Sequence, residues 1–421
     1  MKIFASFFKK KRVLFYKKEP KHFHSSSGTM TDTARGTSAQ ILATVVFTFV
    51  AYLVVGLPLA VLPPFVHQAL HFSSVLAGLS VSVQYLATFM TRAPVGRMTD
   101  TVGPKQMVIL GLACCAVSGL FTTLGGLASS HPAESLTLLL IGRLFLGAGE
   151  SGVGTGAIGW AIGKVGPTHS ARIISWNGVA TFAGIALGAP LGVTIESLGG
   201  FGLIGIMMIL GGVLVLPFAA AGPVTHLVRG PQIPMGRVFG RVLPHGAALA
   251  LGSLGFGTIA SFVTLFFASR HWGHAAWALS AFGGFFILSR LLFVSSIARQ
   301  GGLRVACISF VGEASGLLVL GLSSAPVVAV IGAALTGFGF ALVFPALGVE
   351  AFQRVPGTSR GAALGVFSVF LDVALGVTGP LAGLLVAVYG YASIFLIAAV
   401  AALLGCGITV ALGARLARPR A

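Results

Sequence analysis

Long apolar stretches alternate with short polar connections along the whole chain, near 40–62, 75–95, 106–128, 135–161, 172–195, 201–222, 246–269, 275–297, 304–323, 325–349, 361–388 and 391–413. A helix rises about 1.5 Å per residue, so about 20 apolar residues cross a hydrocarbon layer about 30 Å thick. Each stretch is long enough, and the pattern predicts twelve membrane-spanning helices. The alternation with period two that marks a membrane barrel is absent, whereas helices satisfy their own backbone groups inside lipid. The expected fold class is all-α.

The longest polar connection apart from the N-terminal tail is "GPVTHLVRGPQIPMGRVFGRVLPHG", which divides the spans into six and six. This places a basic tail at 1–37, expected to be disordered, a six-helix half at 38–222, a linker at 223–245, a second half at 246–415 and a short tail at 416–421. The halves correspond at short motifs. "KVGPTHSAR" at 164–172 and "RVPGTSRGA" at 354–362 stand 190 residues apart, as do Pro190 and Pro380, each within the fifth span of its half. Such spacing indicates an internal duplication, as in transporters whose halves rock around a central site. The tail reads poorly as a signal peptide, because charge breaks its apolar run. Lys9, Lys10, Lys11, Arg12 and Phe15 are suited to touching anionic lipid, and a start at Met30 would remove them.

Composition agrees with a lipid-facing surface: 56% of the 421 residues are apolar and 9% are charged, against about 25% charged in soluble domains. The net charge of +18 is informative through its distribution. With a cytoplasmic N-terminus, inner segments hold 24 of the 27 lysines and arginines; only Arg270 lies in an outer loop, and Arg143 and Arg290 fall within helices. This positive-inside bias orients every helix, leaves both termini cytoplasmic, and makes nucleic acid the weaker explanation of the charge. The four cysteines lie in apolar runs without metal or disulfide spacing.

Buried chemistry then narrows to few residues. Of nine acids, Glu150, Glu313 and Asp372 lie well inside spans, where an acid costs about 2.5–3.5 kcal/mol unless it faces a cavity or partner. Arg143 precedes Glu150 by two helical turns on nearly one face, about 10 Å along the axis, too far for a direct pair. These four are candidates for proton coupling, with structural inter-helix pairing, Arg290 included, as the competing explanation. Tyr52, Gln84, Tyr85, Trp176 and Asn177 are candidate cavity residues, although ordinary packing explains any one of them as well. "GAGESGVGTGAIGW" contains a G-x-G-x-x-G at Gly147, Gly149 and Gly152, but a membrane span is the wrong context for a nucleotide turn. Ala148, Gly152 and Gly156 are expected to form a small-residue packing stripe, with Gly147 and Gly154 leaving room beside Arg143 and Glu150.

The loop "RAPVGRMTDTVGPKQ" resembles the G-x-x-x-D-x-x-G-x-[R/K] motif of the major facilitator superfamily through Gly96, Asp100, Gly103 and Lys105. The resemblance implies a twelve-helix transporter fold and a gate latch centred on Asp100, with Arg92 beside it. The second-half loop keeps Arg290 opposite Arg92 and Gly301 opposite Gly103, but has Val294 and Ala298 opposite Gly96 and Asp100. "IGRLFLGAGE" is similar to the family's R-x-x-x-G-x-G, which places Arg143 at an arginine implicated in proton coupling. "GIALGAPLG", through Gly184, Gly188, Pro190 and Gly192, resembles the glycine-proline motif of efflux branches. Gly376, Gly379, Pro380 and Gly383 repeat it. The wording of "GESGVGTGAIGWAIGKVGP" and "ISWNG" resembles a poorly characterised group of bacterial inner-membrane permeases of sugar or drug efflux type.

The expectation is therefore a proton-coupled antiporter that exports a small organic solute by alternating access. The alternative is a symporter importing a small metabolite or sugar; a facilitator without proton coupling and a solute sensor are more distant. No enzyme activity, cofactor or metal is expected: the proton gradient supplies the energy, and His67 with His71 offers two ligands without an acidic cluster. Expected partners are a small-molecule substrate and the bilayer, without nucleic acid, for a functional monomer in a bacterial inner membrane.

Overall fold

The computed structural model describes residues 29–225, 235–293, 295–354 and 360–417. The lipid-touching residues proposed for the tail, Arg229 and residues 418–421 lie outside them. Described residues 29–39 fall in a separate unit from those after 39. Among the described residues, twelve helices are long and apolar enough to cross a membrane. They are α1 Thr29–Gly56, α2 Ser74–Thr101, α3 Pro104–Leu127, α4 Pro132–Val165, α5 Ser170–Gly199 and α6 Phe201–Leu214, the last continued by Leu216–Ala221. The second six are α7 Met235–Ser269, α8 Ala276–Phe293, α9 Gly302–Gly321, α10 Pro326–Phe340 continued by Val343–Gln353, α11 Arg360–Tyr389 and α12 Tyr391–Ala417. Among the described residues no strand occurs. α7 begins eleven residues ahead of the apolar run that announced it, because its first turns are basic rather than apolar.

Local chemistry sets the helix ends. Pro104, Pro132 and Pro326 occupy first turns, where the missing N–H costs nothing. Between α2 and α3 the chain turns at Gly103 with φ 116°, and between α8 and α9 at Gly301 with φ 84°. A side chain is strained at such angles, so glycine is required. The two positions are 198 residues apart, and Arg92 and Arg290 share that offset. Gly200 and Gly390, both with positive φ, join the fifth and sixth helices of each half and are 190 apart. The same offsets recur in packing: Gly147 of α4 lies against the Gln84 carbonyl of α2, and Gly337 of α10 against the Phe282 carbonyl of α8. The two halves are thus built to one plan.

Small residues carry the helix contacts, as expected where lipid offers no hydrophobic drive and close approach supplies the attraction. α3 and α4 meet along Gly111 and a seam of Gly149, Gly152 and Gly156. Gly152 and Gly156 were expected in this stripe, and Gly149 joins them. Gly147 differs from expectation as well: it leaves no room beside Arg143, because α2 fills that face, whereas Gly154 does border open space. A Cβ at Gly149 would stand 2.7 Å from the Gly111 carbonyl oxygen. Gly149→Val is accordingly expected to lower the thermal midpoint of detergent-solubilised protein by several degrees or abolish folded yield, whereas Gly154→Val leaves both unchanged; fluorescence-detected size exclusion after heating measures this.

Between the halves, α2 packs on α11 and α5 on α8. Gly78 and Gly379 bring the α2 and α11 backbones together. The Ser82 hydroxyl donates to the Leu375 carbonyl at 2.9 Å and accepts from the Gly379 amide at 2.9 Å, immediately before Pro380. On the other seam Pro190 lacks the N–H that would bond the Ala186 carbonyl. Ser280 of α8 donates to that oxygen at 2.9 Å. Ser82 and Ser280 are again 198 apart, so a serine stands at the same place in both seams, although Ser280 meets the carbonyl freed by Pro190 and Ser82 meets Leu375, five residues before Pro380. Gly184, Gly188 and Gly192, by contrast, face α1 at Phe49–Leu57, within the first half, while Gly376, Gly379 and Gly383 face α2 across the seam.

Candidate functional site

α1, α2 and α4 turn polar side chains toward one another inside the first half. Glu150 is buried, and its Oε1 accepts from the Tyr52 hydroxyl at 3.0 Å while its Oε2 accepts from Gln84 Nε2 at 2.8 Å. The Thr88 hydroxyl lies 3.4 Å from the same Oε2. Arg143 Nη1 donates to Gln84 Oε1 at 2.9 Å. Gln84 therefore joins the two residues that their spacing along α4 keeps apart. Arginine only donates and a carboxylate only accepts, so a single orientation of the Gln84 amide serves both. The second terminal nitrogen of Arg143, Nη2, is buried without a partner among the described residues.

A second group ties the halves. Arg92 of α2 pairs with Asp372 of α11 in a two-pronged ion pair, Nε to Oδ2 and Nη2 to Oδ1, the latter at 2.9 Å. Asp372 is 1% exposed, so the pair is held out of solvent on the acid's side. Glu150 and Tyr52 both feel the charges of Arg92 and Asp372. The first-half network and the inter-half pair thus share one electrostatic neighbourhood, containing two arginines and two acids. Arg92, read from the sequence with the gate loop, lies inside α2 rather than in the loop.

The aromatic residues of the second half occupy the facing ground. Phe256, Phe282, Phe286 and Phe340 cluster with Phe182 of α5, whose ring centroid is 3.6 Å from that of Phe286. By the offsets of the repeat, Phe282 and Phe340 stand where the first half has Gln84 and Glu150. One half is polar and the other aromatic at equivalent places. Arg290 is buried beside this cluster, its guanidinium carbon 5.1 Å from the Phe286 ring centroid and within cation–π range. Its Nε donates at 3.0 Å to the Ala341 carbonyl, which Pro345 leaves without a helical donor.

Other predicted residues are placed elsewhere. Glu313 of α9 is fully buried within the second half near Gly252 and Gly255 of α7, and neither carboxyl oxygen has a partner among the described residues. Asn177 accepts from Thr48 at 2.7 Å, tying α5 to α1. Trp176 is half-buried and Tyr85 buried. In the gate loop, Asp100 is exposed on the last turn of α2, and a Cβ at Gly96 would meet nothing. Lys105 reaches the Ala220 and Gly222 carbonyls at 2.6 and 2.7 Å, a cation closing the end of the sixth span. His67 Nδ1 lies 2.7 Å from the Phe72 carbonyl. Among the described residues, no three His, Cys, Asp or Glu side chains gather as metal ligands.

Sequence reasoning missed the two seam serines, Phe182 and His245. Serines in apolar spans are unremarked singly, and only the 198-residue offset pairs Ser82 with Ser280. His245 is fully buried in α7 with both ring nitrogens unpartnered among the described residues; it fell at the boundary of the polar linker and was hidden there.

Comparison with known proteins bears on the whole chain. The sequence profile of the Major Facilitator Superfamily matches residues 44–293 and 246–421. An uncharacterized MFS-type transporter of Burkholderia pseudomallei is 52% identical over 394 residues, covering 92% of this chain and 95% of its own. One from Pseudomonas aeruginosa is 52% identical over 391 residues, covering 92% and 97%. Among solved structures, the human organic anion transporter TETRAN superposes with a TM-score of 0.67 at 14% identity, covering 89% of this chain and 99% of its own, a likeness of fold. With twelve spans, two halves of one plan and a polar site where they meet, the chain belongs to the major facilitator superfamily, as a multi-pass membrane transporter and not an enzyme.

Proposed function

We propose that this transporter is a proton-driven antiporter that exports a small organic solute by alternating access from a bacterial inner membrane, as a monomer with both termini cytoplasmic. The observation that carries the reading is the Arg92–Asp372 pair, an acid of one half held by a cation of the other. Protonating Asp372 removes the charge that binds Arg92, so proton arrival and separation of the halves become one event. Glu150 supplies a second proton acceptor in the same neighbourhood, and Gln84 transmits its state to Arg143. The repeated glycine-proline segments favour export, and Gly96, Asp100, Gly103 and Lys105 form the cytoplasmic latch. The proton gradient is the energy source and no cofactor takes part.

Everted vesicles or proteoliposomes with an imposed pH gradient and a solute panel test this. Solute movement opposed to the proton flux is expected, and at least tenfold less of it in Glu150→Gln and Asp372→Asn. Movement in the same direction as the protons would replace antiport by symport. Unchanged coupling in both variants would remove these carboxylates from the mechanism.

A further inference from the structure

The repeat offsets expose a missing partner. Arg92 and Arg290 occupy equivalent places on α2 and α8, 198 residues apart. Asp372, which neutralises Arg92, stands on α11, and the equivalent place on α5, 190 residues earlier, is Phe182. The second seam thus keeps the arginine and lacks the acid. Among the described residues Arg290 has no carboxylate within ion-pair distance, and its one hydrogen bond, from Nε, goes to a backbone oxygen. Neither Nη1 nor Nη2 hydrogen-bonds to a described residue, and Nη1 is the atom that a Cβ on Gly178 of α5 would meet, at 2.5 Å. The guanidinium therefore points across the seam, and glycine gives it the room. Arg290 stands in the last turn of α8, about 21 Å along the axis from Ala276 at the helix start.

A buried charge without a partner is costly, and a site that keeps one is poised to receive the opposite charge from outside. We propose that Arg290 binds the carboxylate of an aromatic or similarly flat organic anion, whose apolar body lies against Phe182, Phe256, Phe282 and Phe286. The anion supplies in trans the acid that Asp372 supplies within the chain at the other seam. The planar guanidinium matches a carboxylate with two parallel hydrogen bonds, and the phenyl rings stack on a flat body. The proposal rests on the reading of the seam between the halves as the transport route and adds the chemical class of the cargo.

Thermal unfolding of the purified full-length protein in detergent tests it with benzoate as probe, benzamide as the neutral isostere and benzylamine as the cation. A ligand held by the folded state raises the midpoint with its concentration. Benzoate is expected to raise it, with benzamide and benzylamine at least tenfold weaker. Arg290→Gln and Phe182→Asp are each expected to weaken benzoate at least tenfold, the second because the chain then supplies its own counter-ion. Arg290→Lys and Phe182→Leu should stay within a few-fold of the parent, and their unliganded midpoints report on folding. A benzoate shift unchanged in Arg290→Gln or in Phe182→Asp, no shift in the parent, or preference for benzylamine would overturn the proposal. The readout needs no proton gradient. Benzoate binding without pH-driven exchange defeats the antiport mechanism alone, and exchange without benzoate binding defeats this site alone.

Discussion

A chain carrying Arg92→Asp together with Asp372→Arg is expected to transport, where either exchange alone does not. Each single exchange puts two like charges against each other inside the membrane, and breaking a buried pair this way costs about 3–5 kcal/mol. At about 1.4 kcal/mol for each factor of ten, transport falls by roughly 100-fold or more. The swapped pair again has opposite charges at a contact made by α2 and α11, so the double variant should recover at least a tenth of the parental rate. Proteoliposome exchange under a pH gradient measures the rates, and thermal midpoints show whether the singles fold. A folded double variant as inactive as the singles would mean that Arg92 acts through its position rather than through its charge.

The second large effect belongs to the glycines where the seam is tightest. A Cβ on Gly78 would lie 2.6 Å from the Gly379 carbonyl carbon, with backbone on both sides and nothing able to yield. Gly379→Leu is expected to fold, because its main obstacle is the opposite half, but to hold α2 away from α11 and lower transport more than about tenfold. Opening can be read directly with Cys114, Cys115, Cys307 and Cys406 replaced by serine and Leu375, now buried, replaced by cysteine. A membrane-impermeant maleimide should label that cysteine far faster in Gly379→Leu than without it. Gly407→Leu, at a position bordered by nothing within 4 Å, should leave both rate and labelling unchanged.

The helices were legible because membrane insertion writes them as uninterrupted apolar runs, and the ends shifted where basic turns extend a helix past its apolar core, as in α7, or where the helix stops inside the run, as α1 does at Gly56 and α8 at Phe293. Buried acids were legible for the same reason: a charge in such a run has few explanations. Partners were not. Arg143 and Glu150 sit on one helix, but the residue that joins them is Gln84 on another, and Asp372 finds its cation 280 residues away. Which face of a helix meets which neighbour depends on tertiary packing, as the place of Gly149 in the α4 seam illustrates. The repeat, visible in Pro190 and Pro380, held the key to Arg290, but only contacts across the seam give its offsets a chemical meaning.

The seam serines bear on how readily the halves exchange between arrangements. One neutral hydrogen bond nets about 0.5–1.5 kcal/mol once water is counted as the competing partner. The two bonds that the Ser82 and Ser280 hydroxyls donate across the seams together therefore bias a two-state equilibrium by roughly five- to 150-fold, the scale on which differential binding of a small ligand shifts occupancy from one state to the other. An apolar seam of the same extent would offer water nothing in exchange for opening. Seam hydroxyls set on carbonyls of the facing half thus add a closing bias small enough for a ligand to offset.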